Sequence, residues 1–306
     1  MRSSPSIGVM LPTMSPGDAS PGDAIAAGRL AEELGYESVW VVDQLVAGSG
    51  VPFVDSVVAL AAVAGATERV RLGFGVMILP LRSTAWIAKQ VASLQFVSGG
   101  RVLFGVGVGG DRHERSWVAA GVDRRDRARR TDAALAVLAD LIAGRPAALP
   151  DVPGNPTIEL LPGVEVPPIV VGGGADAALH RVVRAGAGWF ALPVPPADAA
   201  PMVERLRDIA TEAHRPPPPI TGSIVVALDD GTESSSAHRV HARLTDPDGM
   251  YGMPADASTH MLVRDPVTLR ERVDGWAALG AERIVLNIAT DTWDQQARLV
   301  ADAFSM

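Results

Sequence analysis

The 306-residue chain is expected to fold as an α/β protein, a TIM (β/α)8 barrel. Three observations point there. Short β-branched runs alternate with longer Ala/Leu/Arg/Glu segments of helical period, about eight times along the sequence. Hydrophobic residues make up 47% and aromatics only 5%, so the core is built from Ala, Val, Leu and Ile, which suits parallel strands under Ala-rich helices. No run has the character of an edge strand, which favours a closed barrel over the alternative, an open doubly wound sheet.

The elements follow in order. A strand over residues 6–12 leads to a helix over 23–34, closed by Gly35, a C-cap signal. Strand 38–43 precedes helix 54–66, and strand 70–79 precedes helix 84–97. Strand 102–109 precedes helix 124–143, and strand 169–173 precedes helix 175–185. Strand 189–193 leads to helix 198–213, and strand 220–228 to helix 266–279. Strand 283–288 and helix 292–304 complete the set. No linker suggests a second domain. Two stretches are too long for simple connections: a proline-rich insertion after helix four (144–168) and a segment within unit seven (229–264), the expected lid.

Composition narrows the function. The net charge of −8 argues against nucleic acid held by phosphate neutralisation. The absence of cysteine excludes disulfides, Fe–S clusters and thiol nucleophiles. No apolar run approaches the roughly 20 residues of a membrane span, and MRSSPSIGVM is not a signal peptide. A soluble, cytoplasmic protein without a membrane partner is expected. Lys89 is the one lysine, so a Schiff-base lysine elsewhere is excluded.

In a TIM barrel the chemistry sits at the C-terminal ends of the strands. Strand two ends VWVVDQL, placing Asp43 and Gln44 at the mouth. Asp43 reads either as a functional carboxylate or as a backbone cap. Strand three carries Gly73 and Gly75, and strand four spaces Gly105, Gly107 and Gly109 every second residue. Glycine packs nothing and costs backbone entropy, so it marks a bulge, tight packing or the close approach of a ligand. Together these glycines suggest strand ends cleared for a flat cofactor. Gly105, Gly107 and Gly110 match G-x-G-x-x-G, but the next expected helix starts only near Arg124, so the match reads as coincidence. His113 and Glu114 follow as acid–base candidates, with a merely solvated loop histidine as the alternative. Gly172, Gly173 and Gly174 precede a helix whose free N–H groups and dipole suit a phosphate, although Asp176 already brings a negative charge there. Residues 124–130 (RRDRARR) read as a solvated basic face. His238 and His241 lack a third ligand candidate, so no metal is expected.

These segments jointly resemble the luciferase-like monooxygenase family, the bacterial luciferase superfamily, and within it the subgroup using coenzyme F420. The resemblance runs from Ile7 to about Phe304. It is carried by AEELGYESVWVVDQL, LGFGVMILPLRSTAWIAKQVASLQFVSGGRVLFGVGVGG, PPIVVGGGADAALHRVVRAGAGWF and the late GMYGMPADASTHMLVRDPVTLRERVDGWAALGAERIVL. It implies a TIM barrel binding F420 or, alternatively, FMN. Asp43 and Gln44 would sit near the isoalloxazine-type ring, with Asp43, Gln44 and His113 as the catalytic candidates. Gly75-Val76 would form a non-proline cis peptide behind the ring. Val108, Gly109 and Gly110 would line its other side, with His113 close by. Gly172, Gly173, Gly174 and Ala175 would hold the phosphate. Met10, Trp86, Tyr251 and Met253 would wall the substrate pocket. A homodimer is also implied.

Two departures stand out. Deazaflavin-dependent relatives carry Asp-His where this chain has Asp43-Gln44, and glutamine cannot take up a proton. Some dehydrogenase relatives have a Glu where Gly110 stands. The expected function is hydride transfer between F420 and a small organic substrate. The alternatives are an FMN-dependent monooxygenase, a non-catalytic flavin- or deazaflavin-binding protein and a non-redox barrel enzyme.

Overall fold

The computed structural model describes residues 4–14, 22–46, 51–110, 114–229, 236–246, 254–288, 290 and 292–306. It is a closed parallel barrel ringed by helices. The barrel strands are β1 (Ser6–Met10), β2 (Ser38–Val41), β3 (Arg71–Phe74), β5 (Val102–Gly107), β8 (Ile169–Gly172), β9 (Gly188–Phe190), β10 (Ile220–Val226) and β12 (Ala281–Ile288). They pair in the order β10-β12-β1-β2-β3-β5-β8-β9, and β9 pairs back to β10 to close the ring. Two-residue β4 (Met77–Ile78) extends β3 along β5, and β11 (Leu262–Val263) adds to β10. The helices are α1 (Ala24–Glu33), α2 (Ser56–Ala64), α3 (Thr84–Val97), α4 (Glu114–Ala120), α5 (Arg127–Ile142), α6 (Asp176–Ala185), α7 (Pro196–Glu212), α8 (Ser236–Thr245), α9 (Ala255–Met261), α10 (Pro266–Ala278) and α11 (Trp293–Phe304).

Local chemistry sets the helix ends. Asp23, Asp55 and Asp265 each accept two backbone N–H bonds as N-caps of α1, α2 and α10. Gly186 closes α6 in the left-handed conformation (φ +62°). The proline-rich insertion is not structureless: it holds the antiparallel hairpin β6 (Ala147–Ala148) and β7 (Thr157–Ile158). It is also tied to the barrel, because Asp151 accepts the Thr84 N–H at 2.9 Å at the start of α3. The expected lid contains α8, α9 and β11 among its described residues. α4 was expected as loop, and the helix expected from residue 124 begins at Arg127 after a 3-10 turn.

Strand alternation divides the core in two. Outward residues such as Val39, Phe74, Phe104 and Leu286 pack under the helices. Inward residues Met10, Trp40, Leu103, Val170, Phe190 and Val285 fill the barrel. Trp40 is wholly buried, and its ring lies 5.2 Å from that of Phe190 in a tilted pair. A Cβ on Gly73 would overlap the Trp40 ring, so this glycine is required by the indole beside it. At the opposite end of the barrel, Glu37 accepts Nε and Nη2 of Arg283 at 2.8 and 2.7 Å. Burial alone would raise the Glu37 pKa, but hydrogen bonds and charge from Arg283, helped by Arg71, hold it below its ordinary value.

α11 closes the ring onto the mouth. Trp293 Nε1 donates to the Met10 carbonyl at 2.8 Å. The Gln296 amide accepts from Leu228 N at 2.7 Å and donates to Leu228 O at 2.9 Å. Two buried backbone groups past the end of β10 are satisfied by one side chain.

Candidate functional site

The third strand was expected as one run over residues 70–79. It is broken by a bulge. Gly73 faces Leu103, and Met77 faces Val106, so four residues advance on one strand against three on the other. The Gly75-Val76 peptide bond inside the bulge is cis and non-proline, as expected. Val76 then points across the barrel mouth. A Cβ on Gly107 would lie 2.6 Å from Val76 Cγ2, and one on Gly172 would lie 3.2 Å from Val76 Cγ1. A Cβ on Gly105 would collide with the Phe74 carbonyl oxygen, and one on Gly75 would approach Met10 Cε at 2.6 Å. The glycines of strands three and four are therefore cleared for the protein's own indole, bulge and methionine. The expectation that they were cleared directly for a flat ligand is corrected to that extent.

Asp43 lies past β2 with its carboxylate fully buried. It accepts from Ser56 Oγ at 2.6 Å, Ile78 N at 2.8 Å, and both Arg82 terminal nitrogens at 2.6 and 2.8 Å. These four bonds occupy the acceptor sites that a carboxylate offers. The geometry gives Asp43 the task of joining the end of β2 to the segment following the bulge and to α2. Arg82, which sequence reading missed, completes the pair. Burial alone would lower its pKa, but the bonds to Asp43 and the charges of Asp43 and Asp55 raise it above the ordinary arginine value. Gln44 is also buried, and its Nε2 has no hydrogen-bond partner among the described residues.

Val108 is half-buried and Gly110 exposed. Gly109 adopts φ +72°, and a Cβ there would sit 2.9 Å from Ile78 Cγ2 and from Trp117 Cζ2. Trp117, on the unexpected helix α4, thus packs over the turn after β5. His113 lies outside the described residues, as do Tyr251 and Met253.

After β8, the N–H groups of Gly174, Ala175, Asp176 and Ala177 find no acceptor among the described residues, and no side chain caps this end. The Gly173 carbonyl is held by Trp189 Nε1 at 2.7 Å. Asp176 is engaged by Arg205 Nε at 2.7 Å, with His180 at 3.3 Å. The Arg205 hydrogen bond leads in lowering the Asp176 pKa. The charge objection to a phosphate is thus met by a cation beside the carboxylate.

A cavity of about 490 Å3 opens at the barrel mouth. Met10, Val225 and Asn287 form its floor, Val42 and Leu192 stand beside them, and α8 and α9 contribute Val240, Leu244 and Met261. Among the described lining residues only Arg243, Asn287 and Thr290 are polar. Two lining residues touch the expected cofactor positions: Met10 lies against Gly75, and Leu192 Cδ1 lies 2.8 Å from where a Gly174 Cβ would be. Trp86, expected as a substrate contact, lies elsewhere. It is 66% exposed in the first turn of α3 and does not line this cavity.

Comparison with known proteins shows the family and the fold. A family model described as luciferase-like monooxygenase matches residues 5–304. An uncharacterised protein of Mycobacterium tuberculosis is 33% identical over 174 residues, covering 55% of this chain and 58% of that one. An F420-dependent glucose-6-phosphate dehydrogenase of Beutenbergia cavernae is 32% identical over 183 residues, 56% of this chain and 52% of that one. The matched region spans about half the length of these curated relatives. Among solved structures, a monooxygenase of Streptomyces bottropensis superposes with a TM-score of 0.81 at 24% identity, covering 98% of both chains. An F420-dependent secondary alcohol dehydrogenase superposes at 0.82 with 16% identity, also covering 98% of both. At such identities the structural likeness establishes the fold.

Proposed function

Because this chain belongs to the luciferase-like monooxygenase family, matched across residues 5–304, we propose that it is an oxidoreductase that binds a flavin-type cofactor at the barrel mouth and acts on a small organic molecule beside it. One observation carries the reading. Met10, which lies against Gly75 of the cis-peptide bulge, and Leu192, which lies against Gly174 at the uncapped start of α6, line the same apolar cavity.

The residues present fit such a group. Val76, Val108 and Gly109 offer an apolar backing for a ring. Gln44 Nε2 is a buried donor in want of an acceptor. The N–H groups of Gly173, Gly174 and Ala175 would take a phosphate. Coenzyme F420 is the first reading of the cofactor, supported by similarity to the dehydrogenase of B. cavernae. When bound, a deazaflavin supplies hydride transfer. This chain's own work is then positional. Asp43 and Arg82 hold the segment following the bulge, and the methionine- and valine-lined cavity keeps water off the substrate. Arg243 is the one ionisable group among its described lining residues. A proton therefore has to pass through solvent or through residues such as His113 that lie outside the described set.

That shortage supports a second reading. Oxidising an alcohol requires a base for the hydroxyl proton, whereas an FMN-dependent monooxygenase can act on a substrate with no acid or base touching it. Fluorescence titration with F420 and with FMN separates the two. Micromolar or tighter F420 binding supports the first reading, and FMN binding alone supports the second. Failure to bind either overturns both.

We also place a homodimer contact on α2 and α3. Val58 on α2, and Trp86, Phe96 and Val97 on α3, are each about two-thirds exposed. They form an apolar outer face on neighbouring helices.

A further inference from the structure

We infer that the cavity selects a neutral, largely apolar molecule carrying one oxygen function, and that Asn287 is the residue that reads that oxygen. This rests on the proposed function only in taking the cavity as the substrate site.

Strand register places Asn287. In β12, Arg283, Val285 and Asn287 face inward, and Val285 belongs to the barrel-filling cluster. Asn287 is therefore the next inward residue above Val285, where the filled interior gives way to the cavity. Its register partner on β10 is Val225. On the other side, Val9 of β1 pairs with Leu286, which sets Met10 beside Asn287. Met10, Asn287 and Val225 thus form a row across three adjacent strands, and all three line the cavity. Asn287 is the polar member of that row, and its amide makes no hydrogen bond to a described residue. The other two polar lining groups are differently placed. Arg243 rises from α8 with its Nε directed at the Arg239 carbonyl at 3.3 Å. Thr290 lies 3.5 Å from the Thr292 hydroxyl.

The lining fixes the ligand class. A sugar or polyol would bring several hydroxyls against Met, Leu and Val side chains. Each unpaired hydroxyl costs roughly five- to 150-fold in affinity. A hydrocarbon would leave the Asn287 amide without a partner. A molecule with an apolar body and one carbonyl or hydroxyl satisfies both demands, since the amide supplies both donors and an acceptor. The cavity volume of about 490 Å3 suits a small organic molecule. Met10, Met14 and Met261 in its wall allow it to adapt to more than one carbon skeleton.

Calorimetric titration with limonene and menthone tests this, because both have the p-menthane carbon skeleton, limonene as an oxygen-free diene and menthone as a saturated ketone with one carbonyl. The protein is titrated as purified and again saturated with F420 and with FMN. Glucose 6-phosphate and decanoate are run alongside. Menthone is expected to bind about tenfold more tightly than limonene, with glucose 6-phosphate weaker than either. Asn287→Leu is expected to retain limonene binding and lose the menthone preference. Asn287→Asp, which keeps the size but lacks the amide donors, is expected to lose the preference too. Thermal unfolding of both variants verifies that they fold. Equal affinities in the unmodified protein, no binding of either terpene, or a preference that survives both substitutions would overturn the inference. So would tightest binding of decanoate, lost in Arg243→Ala. Because the ratio is also read without cofactor, it stands or falls separately from the cofactor titration.

Discussion

Arg82 grips Asp43 through both carboxylate oxygens, Nη1 to Oδ2 at 2.6 Å and Nη2 to Oδ1 at 2.8 Å. The carboxylate is fully buried and the guanidinium 17% exposed. A bidentate pair in this setting fixes position as well as charge. Removing the cation leaves a buried carboxylate uncompensated. Arg82→Met is expected to destabilise the fold by about 3–5 kcal/mol, read from urea unfolding. A loss below about 1 kcal/mol, the worth of an exposed pair, would show that the contact does not hold the mouth together.

Two glycine-to-alanine changes separate packing from flexibility. At Gly105 an added Cβ meets the Phe74 carbonyl oxygen, which is backbone and cannot swing aside. Gly105→Ala is expected to cost at least about 2 kcal/mol. At Gly65, the C-cap of α2 with φ −76°, an added Cβ meets nothing closer than 3.8 Å. Gly65→Ala is expected to stabilise by about 0.4–1 kcal/mol, by restricting the unfolded chain. Thermal unfolding midpoints of the two variants should move in opposite directions.

Acid should loosen the closed end of the barrel. The folded pKa of Glu37 lies below its ordinary value near 4.5. Folding therefore favours the ionised form. The stabilisation is fully present above about pH 4.5 and is lost as pH falls through the folded value. Glu37→Gln is expected to be less stable than the parent at pH 7 and to close much of that gap at pH 3. Parallel loss of stability in both proteins over this range would contradict the assignment.

The apolar outer face of α2 and α3 makes a separate prediction. Phe96→Glu is expected to shift the sedimentation of the protein from dimer to monomer without changing its unfolding midpoint at low concentration. A monomeric parent, or a dimer indifferent to the charge, would remove the contact from this face.

The barrel was legible because its alternating periods are carried by many residues at once, and α3 falls over residues 84–97 as expected. The cis peptide at Gly75-Val76 was legible from the family's motif. Why its neighbours are glycine was not. Nothing local in GVGVGG announces that Val76, about thirty residues earlier, comes to lie over Gly107, or that Trp40 crosses to Gly73. These are contacts between strands, and single-strand patterns cannot reveal them. Arg82 was missed for the same reason: its partner Asp43 is 39 residues away. Asn287 was hidden inside an apolar run, where its inward face is apparent only once the register with Val225 is known. Trp86 was misplaced because an aromatic residue near a strand end reads equally as a pocket wall or as an outer helix face.

The most direct measurement is a crystal structure of the protein with whichever of F420 or FMN it binds. The ring is expected in van der Waals contact with Val76, beside the cavity that Met10 and Leu192 line, with the tail phosphate on the N–H groups of Gly173 to Ala175. A ring bound away from Val76, or a phosphate held anywhere other than the start of α6, would contradict that placement.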